Sequence, residues 1–273
     1  VLKHRILTAL VLIPLVLWGI LELPTGWFAG VFGLVVVLGA WEWARLIGWI
    51  HAGARGGYAA IVAVVMAAAA TTVFESPSVL VGVFFVAVSF WLWATRAVLS
   101  YDGSPRGDKP VAVGDLVVGI LVLVPAWLGI VYLHSRGPQF VLFMMVLVWT
   151  ADTAAYFSGR KFGKNKLAPR VSPGKTLEGL YGAVVATGTV ATGAALWLGL
   201  SAGIALAFVS LSMATVLISV VGDLFESMYK RQVGVKDSGT LLPGHGGVLD
   251  RIDSMTAAAP AFALGLLLLG ELA

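Results

Sequence analysis

Asp223, Glu226, Ser227 and Lys230 stand at i, i+3, i+4 and i+7, the spacing that lines one face of a helix. Asp250, Asp253 and Ser254 repeat the i, i+3, i+4 pattern farther on. Oxygen ligands of this kind suit a hard cation such as Mg²⁺, which takes one or two carboxylates and leaves the rest to water and substrate phosphate. Asp223 and Asp250 are the expected metal ligands, and a second cation is compatible with the set. The plainer reading is that these two acids pair with Lys230 and Arg251. Between the two acidic faces, Gly244-His245-Gly246-Gly247 would let backbone approach an anion without Cβ clashes. It would also open a helix whose unpaired N–H groups favour negative charge. Lys230, Arg231, Lys236 and Arg251 supply positive charge, and His245 could donate to a phosphate or move a proton. A loop histidine without chemistry is the plainer reading of His245, and the one taken for His4, His51 and His134.

A second basic stretch, GRKFGKNKLAPRVSPGKTLEG, carries Arg160, Lys161, Lys164, Lys166, Arg170 and Lys175. It reads either as a polyphosphate clamp or as a topology-setting loop on anionic lipid. Gly174-Lys175-Thr176 invites comparison with a P-loop. That motif needs a glycine where Pro169 stands and a strand before it, so it is rejected. Ser172-Pro173 instead suggests a turn or a helix cap before a helix at 178.

The elements that must hold these residues are apolar. The 273 residues are 12% charged, against roughly 25% in a soluble domain. No cysteine is present, which excludes disulfides, thiolate metal sites and cysteine nucleophiles. Nine apolar segments are predicted, at 5–21, 27–47, 57–74, 78–98, 111–133, 139–158, 178–199, 202–226 and 252–271. The fold class is therefore an all-α integral membrane protein, a polytopic bundle of about nine transmembrane helices. Residues 1–135 form a scaffold. Residues 136–273 form the catalytic region, with polar loops at 159–177 and 227–251. With the N-terminus in the cytoplasm and the C-terminus outside, every Lys and Arg except Arg136 falls on the cytoplasmic side, as the positive-inside rule requires. Three acids inside segments or at their edges are singled out: Asp152, Asp223 and Asp250. The first two lie roughly 10 Å below the helix ends at 1.5 Å per residue, near headgroup depth, and such acids usually mark function. Trp41, Trp43, Trp91 and Trp93 are expected in an aromatic belt. Gly182, Gly188 and Gly193 are expected to let helices pack closely.

Ser227, Lys230-Arg231, Lys236-Asp237, Gly239, Leu242-Pro243, His245-Gly246-Gly247, Asp250-Arg251 and Asp253 together resemble the diagnostic run of the phosphatidate cytidylyltransferase (CDP-diacylglycerol synthase) family. Tyr229 departs from it, standing where the family usually has an aliphatic residue or Phe. The stretch from Asp152 to Glu178, with Ser172-Pro173 and Lys175-Thr176, is also similar to the family. The first 150 residues match only in hydrophobic layout. The resemblance implies the reaction CTP + phosphatidate → CDP-diacylglycerol + pyrophosphate, a requirement for Mg²⁺, and an active site on the cytoplasmic side of the inner membrane. It implies no nucleic-acid partner and makes a homodimer plausible. Asp223, Asp250, Lys230, Arg231, His245 and Arg251 would then be catalytic. Ser227, Lys236, Asp237, Gly246, Gly247, Asp253, Lys166, Ser172, Lys175, Thr176 and Asp152 would bind substrate or orient the groups that do. Two rivals stay open: a CTP-dependent enzyme on another lipid (a polyprenol kinase or an ether-lipid cytidylyltransferase), and a transporter of phosphorylated anions.

Overall fold

The computed structural model describes residues 2–107, 110–241, 244 and 246–270. Among the described residues the helices are α1 (Leu2–Glu22), α2 (Thr25–Leu46), α3 (Ala52–Thr72), α4 (Pro77–Ser100), α5 (Val113–Arg136), α6 (Pro138–Phe162), α7 (Leu177–Trp197), α8 (Ala202–Gln232) and α9 (Leu249–Leu268). Eight of them, α2 to α9, are long and apolar enough to cross a membrane, and Ile13–Glu22 of α1 adds a shorter apolar stretch. A helix satisfies its own backbone groups, which is what a lipid environment demands of a spanning segment. Trp27, Val64, Phe85, Leu92, Val185 and Leu206 point outward and are exposed, so the outer surface is as greasy as the interior. The expected polytopic helical architecture is what the chain forms.

Two helices make the centre. α5 and α9 are largely buried along their length and cross at Gly129, where a Cβ would stand 2.8 Å from the Ala259 carbonyl carbon and 2.9 Å from the Pro260 nitrogen. α8 closes on α9 in the same way at Gly222, where a Cβ would meet the Asp253 carbonyl oxygen at 2.6 Å. Because α9 also packs against α2 and α4, the regions 1–135 and 136–273 share one core. Two of the tryptophans expected at the headgroup belt lie inside that core instead. Trp43 and Trp91 are each 1% exposed, because both pack on Phe225 of α8. Trp93 does face outward.

Both polar gaps are shorter than the composition suggests. α8 continues past 226 to Gln232, held by an i, i+4 ion pair between Glu226 and Lys230 at 3.2 Å and by Tyr229, whose ring lies 4.6 Å from Trp43. α9 begins at Leu249 rather than 252, which puts Asp250 in its first turn. The gap after α6 holds a hairpin, β1 (Lys166–Ala168) and β2 (Ser172–Thr176), paired antiparallel with Lys166 opposite Thr176 and Ala168 opposite Ser172. Ser172-Pro173 is thus the start of a strand and caps no helix. Thr176 is the cap of α7, its hydroxyl accepting from the Gly179 N–H at 3.1 Å. Of the three glycines expected at helix contacts, Gly182 packs on Ser158 of α6, Gly188 makes ordinary contact with Met213, and Gly193 faces open space. His134 is not a loop residue: it is buried in α5, stacked on Phe28 at 4.0 Å and bonded to Thr25 and to the Ile20 carbonyl.

Candidate active site

The β1–β2 hairpin folds against α6, α7 and α8. Glu178 of α7 ties its entry down by accepting from the Lys164 N–H at 3.0 Å and the Asn165 side chain at 2.8 Å. Arg231 of α8 fixes its tip by donating Nε–H to the Val171 carbonyl at 3.1 Å. These ties hold β2 where the Lys175 Nζ meets Asp223 Oδ2 at 2.7 Å. Asp152 of α6 lies within electrostatic range of both. Two stretches of chain that read as separate loops in sequence are therefore halves of one site.

A second charged knot adjoins the first. Lys230 Nζ lies 2.8 Å from Asp250 Oδ1 and 3.2 Å from Glu226 Oε1. Asp250 Oδ2 accepts from the Ser238 N–H at 3.0 Å and from the Gly247 N–H at 2.7 Å. Asp253, one turn farther along α9, feels the charges of Asp223, Lys230 and Lys175, which links the two knots. The plain pairing expected from sequence has its partners exchanged: Lys230 goes to Asp250, Asp223 goes to Lys175, and Arg251 is exposed.

The remaining predicted residues sort themselves by position. Ser227 donates to Asp223 Oδ1 at 3.3 Å. Lys166, Lys236 and Asp237 are exposed, and Ser172 is half-buried. Thr176 is buried as a cap. Gly244 and Gly246 adopt φ of 76° and 84°, which only glycine does without strain. The row of free N–H groups expected at the start of α9 is taken by carboxylates: Gly247 donates to Asp250, and Leu249 donates to Glu42 Oε2 at 2.8 Å. His245 lies outside the described residues.

Glu42, Glu226 and Ser238 escaped the sequence reading as site residues. Glu42 is 1% exposed in the middle of the assembly, and its Oε2 also accepts from Ser238 Oγ at 2.9 Å. A signal for it existed. It is an acid within segment 27–47, no less a buried ionisable group than the three singled out, but its tryptophan neighbours suggested a belt at the interface. Glu226 was seen as part of the helical face without a role of its own.

The resemblance implies Mg²⁺, and the donor chemistry fits it. Asp152, Asp223, Glu226, Asp250 and Asp253 converge on Lys175 and Lys230, so carboxylates outnumber cations where a polyanion would have to sit. Apart from the Lys230 ion pair at 3.2 Å, neither Glu226 oxygen has a hydrogen-bond partner among the described residues. An acid-rich, oxygen-only site of this kind favours a hard cation. Among the described residues no group of three or more His, Cys, Asp or Glu forms a ready cage.

The geometry is matched by kinship. The model of the cytidylyltransferase family covers residues 3–269. The phosphatidate cytidylyltransferase of Pseudomonas aeruginosa is 47% identical over 266 residues, 96% of each chain. That of Haemophilus influenzae is 40% identical over 295 residues, covering 96% of this chain and 97% of its own. The Bacillus subtilis protein of the same name is 38% identical over 154 residues, 52% of this chain and 56% of its own. With that coverage, the chain belongs to the cytidylyltransferase family.

Proposed function

We propose that this protein makes CDP-diacylglycerol and pyrophosphate from CTP and phosphatidate, at the cytoplasmic face of the inner membrane. The observation that carries this reading is the joining of the Lys175–Asp223 and Lys230–Asp250 pairs into one cluster, in a chain so similar to named phosphatidate cytidylyltransferases. One substrate is a lipid whose phosphate lies at headgroup depth, and the other is a water-soluble polyanion. A charged site near the ends of α6, α8 and α9 can meet both. The basic residues gathered on one side by the proposed orientation support placing that side in the cytoplasm.

No protein nucleophile is needed. An oxygen of the phosphatidate phosphate attacks the α-phosphorus of CTP, a new P–O–P bridge forms, and the bond to the β-phosphate breaks as pyrophosphate leaves with the electron pair. Catalysis of such a transfer is alignment and neutralisation of charge. Lys175 is carried by the hairpin to the acids, where it can exchange Asp223 for a phosphate oxygen. Lys230 holds Asp250 in place. Arg231 acts through the hairpin it anchors as well as by its charge, while Lys166, Lys236 and Arg251 attract the polyanion from the rim. His245 is proposed to assist the leaving group or the lipid phosphate. Mg²⁺, when held by Asp223 and Asp250, would neutralise charge on the phosphate oxygens. Asp152 is placed to orient Lys175 or to take part in holding a second cation. A homodimer belongs to the same proposal and is tested by cross-linking in the membrane.

The test is pyrophosphate release from CTP by the purified protein, with and without phosphatidate and Mg²⁺, alongside product mass on ester- and ether-linked lipids. Release that needs both phosphatidate and Mg²⁺, with a CDP-diacylglycerol product, is the expected result. Release confined to polyprenol or ether lipid would replace the substrate assignment. Asp223→Asn or Asp250→Asn should abolish product while the protein still inserts, and near-normal turnover in either would sink the metal assignment.

A further inference from the structure

We infer that Glu42 of α2 is a positioning residue for this reaction: its buried carboxylate ties Ser238 to the start of α9, and that tie aims Asp250. The inference rests on the cytidylyltransferase reading above. Glu42 lies on α2, far from the rest of the site in sequence, and it reaches across 196 and 207 residues to Ser238 and Leu249. One oxygen, Oε2, accepts from both ends of the loop, from Ser238 Oγ at 2.9 Å and from the Leu249 N–H at 2.8 Å. Asp250 Oδ2 accepts from the same two regions, at the Ser238 and Gly247 N–H groups. Ser238 is the shared member, its amide facing Asp250 and its hydroxyl facing Glu42. Ser238 and the start of α9 are thus held between two carboxylates, and moving either one moves the other's donors.

The other Glu42 oxygen shows how tightly the clasp is built. Among the described residues Oε1 has no hydrogen-bond partner, and a Cβ on Gly239 would land on it. A Cβ on Gly247 would meet both Glu42 oxygens and the Ser238 hydroxyl. A side chain at 239 or 247 would therefore have to displace the Glu42 carboxylate. Among the described residues Glu42 makes no ion pair, and a buried carboxyl without a charged partner is costly. An apolar side chain would fill α2 at lower cost but could not draw Ser238 and Leu249 to one point. Asp250 depends on that point, because its remaining oxygen must face Lys230 at 2.8 Å.

The experiment uses the full chain in lipid-supplemented micelles, with CTP, phosphatidate and Mg²⁺, and activity expressed per folded protein. Glu42→Ala should lower kcat about 100-fold, the scale of misplacing a reacting group by an ångström, with the KM for phosphatidate unchanged. Glu42→Gln keeps one acceptor oxygen and should recover turnover to within about 10-fold of the unaltered protein. Ser238→Ala should lower kcat about fivefold, again at constant phosphatidate KM, and adding it to Glu42→Ala should cost nothing more because both act through one contact. If the Glu42 variants fail to fold, Ser238→Ala carries the test alone. Unchanged kcat in Ser238→Ala, equal loss in the Gln and Ala variants, or losses that multiply in the double variant would each overturn the inference. Absence of CDP-diacylglycerol synthesis by the unaltered protein would instead overturn the functional reading.

Discussion

Lys230 and Lys175 are both paired to carboxylates, but they sit in different surroundings, so they should fail differently. Lys230 and its partners Glu226 and Asp250 keep side-chain exposures of 9%, 4% and 6%. Removing one member of such a buried set leaves uncompensated charge, a loss of about 3–5 kcal/mol. Lys230→Met should therefore lower thermal stability in detergent as well as abolish turnover. Lys175 and Asp223 are each 27% exposed, where an ion pair contributes only about 0–1 kcal/mol. Lys175→Ala should leave the melting temperature nearly unchanged yet reduce kcat/KM for CTP about 100-fold, as expected for a lost charge-stabilising contact. Equal stability losses in the two variants would show that the site is not divided into a buried and an open half.

At the scale of elements, the site depends on how closely three helices and a hairpin approach one another. The α5–α9 crossing at Gly129 meets backbone atoms of Ala259 and Pro260, which cannot rotate away as a side chain would. Gly129→Ala should destabilise the protein by about 1–3 kcal/mol, the usual cost of overpacking. Gly193→Ala, with nothing within 4 Å of the new Cβ, should leave stability unchanged or raise it slightly. Unfolding in a denaturing detergent compares the two directly. The hairpin is an element of another sort: a short strand pair held by Glu178 and Arg231, whose purpose in the fold is the placement of Lys175. Thr176→Val removes the α7 cap, which should cost about 1 kcal/mol and lower CTP turnover while leaving the Lys230–Asp250 pair in place.

Across the whole molecule, the ionisable residues of the cluster come from the ends of α6 and α8, the start of α9 and the hairpin, and the exposed flanks are apolar. The proposed orientation puts that end in the cytoplasm. Reporter fusions check it: a cytoplasm-active reporter should work in the 233–248 loop, and a periplasm-active reporter should work after α9. The opposite pattern would place the site away from CTP and would contradict both orientation and function.

Hydrophobic runs and the positions of Lys and Arg were enough to read a polytopic helical bundle, because lipid permits few backbone solutions. The i, i+3, i+4 spacing of Asp223 with Glu226 and Ser227, and of Asp250 with Asp253 and Ser254, was enough to place the acids on helix faces, because that periodicity is local. Which charge meets which was not local. Lys175 reaches Asp223 through a hairpin whose strands are too short and polar to announce themselves, and Lys230 turns to Asp250 only because α8 runs one turn beyond its apolar segment. Glu42 lies farthest from what composition can show. A carboxylate between two tryptophans looks like an interface residue until α2 packs against α9, and only that contact, about 200 residues away in the chain, makes it the clasp of the loop.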